Sequence, residues 1–511
     1  MSDRVIGLPD ICSAEHAARP ALLGRSTYSY GELETAVHAV AHRLRELDAT
    51  IGDRVVIWMD KRPEYVQVML GALHAGCAYV AVDGAHPASR LSTIVADTEP
   101  ILLVIDERRL PDVAEMTLPQ SIRTVAVVGQ ADGGGATVPT VGWTDFLANT
   151  ETVRVPRAEI TPSSLAAILY TSGSTGKPKG VQISHRNLAV FVEWACAELA
   201  VGSGDVFANH ASFNFDLSTF DVFVALSVGA AVWIISDEQA RDPVALADGI
   251  REHGVTVWYS VPSVLTLLTT SGSLTPDAVR SLRYVLFAGE VFPKPRLAEL
   301  ATLLHDRTVL YNLYGPTETN VCMYHRVTAQ DLASEDPLPL GLPVGDARLL
   351  IVDEEVPAFD EVGVYSELVV EGDCVTPGYW RRELLAEEHR RHRHPTGDLV
   401  SCIDGQIIYR GRKDRMVKLS GYRAELGEIE SVILRHCSIE EAAVIASGAG
   451  STARLKVFYT LRAGALDLTL IGLKRHCAEH LPRYMVPAAA TCVEALPRNA
   501  NGKIDYRRLA G

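Results

Sequence analysis

The stretch "RVVIWMDKRPEYVQVMLGALHAGCAYVAV" (residues 54–82) decides the fold class. "RVVIWM" (54–59) and "AYVAV" (78–82) are short, rich in β-branched residues and nearly all apolar, which is the composition of strands buried on both faces. Between them, "PEYVQVMLGALHAG" (63–76) has the spacing of a helix. Strand, helix and strand in this order predict α/β architecture with largely parallel sheets. The same alternation extends outward. "GELETAVHAVAHRLREL" (31–47) predicts a helix, and "ILLVI" (101–105) and "TVAVV" (124–128) predict strands. "AAVWII" (230–235), "VTVWYSV" (255–261) and "LRYVLFAG" (282–289) predict a second sheet. "GQADGGGATVPT" (129–140) reads as a loop. Its glycines follow a strand-like run but open no helix, so it is not a dinucleotide fingerprint.

Near residue 395 the texture becomes more charged. A hairpin-like run and a capped helix predict a small α+β unit over the last hundred residues, joined through "GRKDR" (411–415). The run "HRRHRHP" (389–395) reads as a solvated loop, because its interleaved arginines would repel a metal cation.

The 511 residues are 47% hydrophobic and 22% charged, enough for several packed cores. A formal net charge of −15 argues against a nucleic-acid binder, though not against a nucleotide substrate. Nine cysteines without CxxC or zinc-like spacing fit reduced thiols. The N-terminus lacks the pattern of a signal peptide, and no apolar run is long enough to span a membrane. A soluble, cytoplasmic protein is expected.

"LYTSGSTGKPKG" (169–180) places three glycines, five hydroxyl residues and two lysines behind an apolar run. The mix suits a polyphosphate and equally an exposed loop. The interval is wrong for GxxxxGK[ST], and a proline follows the first lysine, so it is not a Walker P-loop. "NLYGPTET" (312–319) brings together Tyr314, a tight turn and Glu318, a hard oxygen ligand of the kind Mg²⁺ uses beside phosphates. "PTGDL" (395–399) sets Asp398 on a turn, where it could accept hydrogen bonds from ribose hydroxyls. "PRNANGKIDYRRL" (497–509) presents Lys503 on a polar turn. Each alone is also ordinary turn chemistry.

Taken in order, "YSYGEL" (28–33), "LHAGCAYVAVD" (73–83), "LYTSGSTGKPKG", "NFDLS" (214–218), "NLYGPTE", "TGDL" (396–399), "GRKDRMVKLSGYRAELGEIE" (411–430), "LPRYMVP" (481–487) and "NGKID" (501–505) closely resemble the core motifs of the adenylate-forming enzymes. The resemblance is specifically to stand-alone amino-acid adenylation enzymes of the nonribosomal peptide synthetase type. It covers almost the whole chain. One stretch, "VYSELVVEGDCVTPGYW" (364–380), departs from the pattern in a region that is mainly structural. The resemblance implies a large N-terminal domain of α/β subdomains with mainly parallel sheets over residues 1–413. It also implies a small mobile α+β domain over 414–511, hinged at Asp414.

Such enzymes use ATP and Mg²⁺ to convert a carboxylate to an acyl-adenylate, then pass the acyl group to a thiol. By resemblance, Thr171, Ser172, Gly173, Ser174, Thr175, Gly176, Lys177 and Lys179 cradle the β- and γ-phosphates. Tyr314 stacks on the base, Thr317 contacts the α-phosphate, and Glu318 holds the metal. Asp398 binds the ribose with Arg412 nearby, and Lys503 bridges the substrate carboxylate and the α-phosphate. Rotation about Asp414 withdraws Lys503 and brings in the segment with Lys418 and Gly421 to line the thiol tunnel.

Asp216 in "NFDLS" is expected to pair with a substrate α-ammonium. That favours an amino or imino acid over an acyl-CoA ligase reading. By the same resemblance, Leu217, Phe220, Tyr259, Leu286, Ala288, Leu313, Val321 and Cys322 fall at the family's pocket positions and are expected to leave room for something small and apolar. The set resembles stand-alone prolyl adenylating enzymes, which load L-proline on a carrier protein at the start of pyrrole-forming pathways. D-alanine is the alternative. With eight residues after Lys503, a separate phosphopantetheinylated carrier protein is the expected partner. An inactive homologue serving as a binding module would be expected to have lost one of these groups.

Overall fold

The computed structural model describes residues 16–130, 138–150, 152–173, 177–334, 336–357, 364–448, 453–462, 464–465, 468–498 and 504–510. Strand Arg54–Met59, helix Pro63–His74 and strand Ala78–Asp83 form the expected unit. Its two strands pair in parallel from Arg54↔Ala78 to Met59↔Asp83. Val55, Val56, Ile57 and Trp58 are all fully buried, as a strand covered on both faces must be. Among the described residues this sheet has eight strands. In spatial order they are Gly378–Tyr379, Lys179–Ser184, Leu165–Thr171, Ala78–Asp83, Arg54–Met59, Leu102–Asp106, Thr124–Val128 and Thr140–Gly142. Pairing is parallel from Leu165–Thr171 onward and antiparallel at the Lys179–Ser184 edge.

The second sheet joins nine described strands, with Tyr28–Ser29 and Leu342–Pro343 at its edges. Its centre is parallel: Ala231–Ile234, Val206–Asn209, Val257–Ser260, Tyr284–Ala288 and Val309–Tyr314. Two helices fill the space between the sheets. Helix Tyr30–Glu46 starts at a capping box in which Ser29 and Glu32 exchange hydrogen bonds, satisfying orphan donors of the first turn. It lies against Pro63–His74. One core cluster accordingly contains Leu22 and Val232 from one sheet, Val55 and Ile57 from the other, and Val37, Val40, Val66 and Leu70 from the helices. At Gly71 the two helices meet closely, since a Cβ there would lie 2.5 Å from Val40 Cβ.

A four-stranded antiparallel sheet follows (Arg348–Pro357, Val364–Glu371, Arg393–Ile403, Gln406–Arg412). Beyond it come the hairpin Met416–Leu419/Tyr422–Glu425, helix Leu426–Ile433, a sheet of Ile439–Ser447, Arg454–Leu461 and Ala489–Cys492, and helix Leu470–Ala478. These elements share a core drawn from residues 419–485, including Ile429, Ile433, Val444, Val457 and Met485. The charged C-terminal texture therefore corresponds to an α+β unit with a core of its own.

Two readings change. Most of the loop at 129–140 lies outside the described residues, but its end, Thr140–Gly142, is an edge strand. The histidine run is not a solvated loop throughout. His389 ends up on helix Ala386–Arg390 and His394 on strand Arg393–Ile403, each 3% exposed, while Arg390, Arg391 and His392 face solvent. His389 Nδ1 meets the Thr376 carbonyl at 2.9 Å, and its Nε2 lies 3.1 Å from His394 Nδ1. Burial lowers the pKa of His394 to about 3, so the ring is neutral. Arginines and histidines alternate across a helix end and a strand, and only one face of each is wet.

Gly71→Ala should cost about 1–3 kcal/mol by overpacking against Val40. This is read as a lowered chemical-denaturation midpoint; an unchanged midpoint would mean the two helices can part without cost.

Candidate active site

A cavity opens at the C-terminal ends of the parallel strands of the nine-stranded sheet, where open α/β sheets bind ligands. Tyr259 and Ala288 stand near the ends of Val257–Ser260 and Tyr284–Ala288. Gly315, Pro316 and Thr317 follow Val309–Tyr314. Asp216 enters from the turn preceding the helical segment Leu217–Ser227, whose middle, Phe220–Val224, is wound as a π-helix. Such insertions recur at functional sites. Asp216, Leu217, Tyr259, Ala288 and Val321 line the cavity together. Burial raises the Asp216 carboxyl above its ordinary range, partly offset by the Thr317 hydroxyl and the Leu217 backbone N–H. The Tyr259 hydroxyl is buried and has no partner. The remaining pocket residues of the sequence reading do not line the cavity. Phe220 backs Tyr259 edge-on at 5.2 Å, Leu286 and Leu313 sit on strands beside Tyr259 and Ala288, and Cys322 is fully buried. They shape the wall from behind.

The loop "YTSGSTGKPKG" connects two antiparallel strands, with Thr171 opposite Lys179. Thr171 lines the cavity and its buried hydroxyl lacks a partner, an orphan suited to a polar ligand. Ser172 Oγ donates to the Arg423 carbonyl (3.0 Å) and accepts from the Glu425 N–H (3.1 Å), while the Gly173 N–H donates to Glu428 Oε2 (3.0 Å). Glu428 is also paired with Arg90, 2.9 Å away and equally buried. Lys177 is exposed. Ser174, Thr175 and Gly176 lie outside the described residues.

Lys179 points instead at Glu318. Its Nζ is 3.5 Å from Glu318 Oε1 and 4.5 Å from the centre of the Tyr379 ring. Glu318 is fully buried. Tyr379 Oη donates to it at 2.6 Å, and Arg423 Nη1 reaches both carboxylate oxygens at 3.1 and 3.0 Å. Burial alone would raise the Glu318 carboxyl, but Arg423 and Lys179 outweigh it and hold the group well below the usual range. A carboxylate held ionised is a hard oxygen donor of the kind a divalent cation takes, but in this arrangement Arg423 and Lys179 already balance its charge. Tyr379 comes from the stretch 364–380, and its hydroxyl is one of the groups that hold Glu318.

Asp398 and Arg412 both line the cavity and face each other as a cross-strand ion pair. Tyr314 does not line the cavity; it donates to Asp398 Oδ2 at 2.5 Å. Its ring is buried and its hydroxyl is spent on that carboxylate. Arg412 also grips Asp414 through Nε (2.7 Å) and Nη2 (2.8 Å). Past Asp414 the hairpin turns at Ser420 and Gly421 with φ of 50° and 83°, the left-handed pair that a tight two-residue turn needs. The Gly421 N–H donates to Glu290 Oε1 at 2.7 Å, and a Cβ there would lie 2.2 Å from Val261 Cγ1. Lys418, Gly421 and Arg423 therefore line the cavity with Asp216 and Asp398.

Lys503 lies outside the described residues. On either side of it, Ile504 bridges to Arg498, which pairs with Glu441, and Tyr506 packs under Arg415. None of these lines the cavity. Sequence reasoning missed Arg423, Tyr379, Glu428 and the cavity residues Asn214, Phe215, Asn320 and Tyr484. Arg423 stood inside a quoted motif, and its signal was a lone cation between a glycine turn and "ELGEIE".

Among the described residues no helix is long and apolar enough to cross a membrane. The family profile for AMP-binding enzymes matches residues 11–380, and that for the AMP-binding enzyme C-terminal domain matches 428–503. An L-proline--[L-prolyl-carrier protein] ligase of Streptomyces coelicolor is 56% identical over 512 residues, covering 99% of this chain and 96% of the relative. A ligase of the same name from Pseudomonas fluorescens is 41% identical over 484 residues, covering 94% and 93%. Among solved structures, the Vibrio cholerae adenylation domain AlmE, in complex with glycyl-adenosine-5'-phosphate, superposes with TM-score 0.83 at 23% identity, covering 100% and 98%. Two profiles in register over most of the chain, on a fold of two mainly parallel sheets with a small C-terminal unit, make this protein a member of the AMP-binding, adenylate-forming enzyme family.

Proposed function

We propose that the enzyme activates L-proline with ATP as prolyl-AMP and transfers the prolyl group to the phosphopantetheine thiol of a carrier protein. The observation that carries this reading is Asp216, one carboxylate set beside Leu217, Tyr259, Ala288 and Val321 in a small cavity. A secondary ammonium offers two N–H donors, and an ionised carboxylate takes such a contact for about 1.5–3 kcal/mol. The apolar walls suit a compact ring. The names of the relatives from S. coelicolor and P. fluorescens agree.

In this reading the loop ending in Thr171–Gly173 and Lys177 meets the polyphosphate, and Asp398, oriented by Arg412 and Tyr314, takes the ribose hydroxyls. Glu318 would hold Mg²⁺, which when bound neutralises charge on the phosphates. Lys503 stabilises charge at the α-phosphate during adenylation. The small domain, from Asp414 onward, then turns about that residue. The described arrangement, with Lys418 and Gly421 at the cavity, corresponds to the transfer half-reaction.

ATP–pyrophosphate exchange should be strong with L-proline and weak with D-proline and both alanines; exchange with D-alanine instead would overturn the substrate assignment. Asp216→Asn should lower kcat/KM for proline roughly 10- to 100-fold. The Asp216 carboxyl is raised by burial, and only its ionised form attracts an ammonium. The KM for proline should therefore rise as pH falls through that raised value and level off above it. A KM that is flat with pH in the wild type, and no different in Asp216→Asn, would remove Asp216 from substrate binding. Lys503→Ala should abolish exchange yet spare transfer from preformed prolyl-adenylate, and equal loss of both half-reactions would refute the division of labour.

A further inference from the structure

We propose that Arg423 is a positioning residue for the transfer half-reaction. It takes over on Glu318 the charge-balancing place that a divalent cation holds during adenylation, so that cation and hairpin occupy one carboxylate in turn. This rests on the reading of Glu318 given above.

Four observations lead to it. Glu318 has no access to solvent in the described arrangement, so its charge needs a partner there. Arg423 supplies one through Nη1 to both oxygens, leaving no open edge between them for a hydrated cation. The same short segment engages the phosphate-loop groups. The Arg423 carbonyl accepts from Ser172 Oγ, the Glu425 N–H donates to that oxygen, and Glu428 accepts from the Gly173 N–H. Finally, Arg423 lies on the far side of Asp414 from Glu318, on the two-stranded hairpin Met416–Leu419/Tyr422–Glu425. It can leave with that hairpin, whereas Lys179 and Tyr379, on the eight-stranded sheet, cannot. Departure of the cation with pyrophosphate would leave Glu318 undercompensated, with Lys179 alone as its cation. The guanidinium that restores balance is the one whose arrival also sets Lys418 and Gly421 at the cavity. Arg423 thus acts through Glu318 and the hairpin, and does not itself touch the reacting atoms.

The test compares wild type, Arg423→Gln and Arg423→Lys in full-length enzyme. It uses proline-dependent pyrophosphate exchange, single-turnover transfer from preformed prolyl-adenylate, and Mn²⁺ binding to nucleotide-free enzyme by electron paramagnetic resonance. In Arg423→Gln, transfer should fall at least tenfold more than exchange, with Arg423→Lys recovering part of the difference. Mn²⁺ should bind Arg423→Gln at least fivefold more tightly than wild type, because Glu318 is no longer contested. Equal loss of both half-reactions in the two variants, or unchanged Mn²⁺ affinity, would overturn the proposal. The Mn²⁺ comparison needs no amino acid, so it judges this inference even if the wild type shows no exchange with proline.

Discussion

Glu318 keeps a full negative charge where no solvent reaches it. Taking a carboxylate out of water costs on the order of several kcal/mol unless opposite charge and hydrogen bonds replace the lost hydration. Here the replacements come from separate parts of the chain. Lys179 stands at the antiparallel edge of the eight-stranded sheet, and Tyr379 on the strand that extends that edge. Arg423 arrives from the C-terminal hairpin, and Glu318 itself follows a central strand of the other large sheet. The two sheets and the C-terminal unit are thus brought to one point by an electrostatic demand. The cavity that holds the candidate site is bounded by the same junction.

Much of this was legible from sequence because it is local. "RVVIWM" needed only its own apolar run to be read as a buried strand, and Ser29 with Glu32 caps its helix within four residues. The chemistry-bearing turns were visible for the same reason: glycines and hydroxyls announce a loop wherever it is placed. What a residue faces across the fold was not legible. Tyr379 meets a carboxylate 61 positions earlier, and Arg423 meets it across 105. No periodicity encodes such a pairing. His389 and His394 were misjudged because charge was averaged over a run whose helix end and strand send alternate side chains to opposite environments.

The pocket residues show a subtler limit. Sequence motifs place Phe220, Leu286, Leu313 and Cys322 with Asp216, and the structure does put them near it, but one layer back. Motif position fixes where the backbone lies. Which side chain reaches the cavity depends on what packs over it from other elements and on the π-helical winding at Phe220–Val224 in the segment that follows Asp216. Tyr259 and Ala288 pair in register with Leu286 and Leu313 and share their face of the sheet, so pleat does not separate the residues that line the cavity from those behind.

The distribution of these groups separates what is fixed from what can be exchanged. Tyr259 and Ala288 stand on strands of the parallel core, and Asp216 on the turn that opens the helical segment Leu217–Ser227. Asp398 and Arg412 are opposite residues on paired antiparallel strands, and Arg412 is the last residue of its strand. Its guanidinium holds Asp398 on one side and Asp414 on the other. In the proposed rotation about Asp414, everything beyond that residue would be exchanged while the Asp398–Arg412 pair, which precedes it, stays with its sheet. The adenylate made in one arrangement would still be held by the same carboxylate when Lys418 and Gly421 arrive in the other. A two-step reaction in one cavity requires that its intermediate not be released, and under the proposed rotation the place of Arg412, just before Asp414, would meet that requirement.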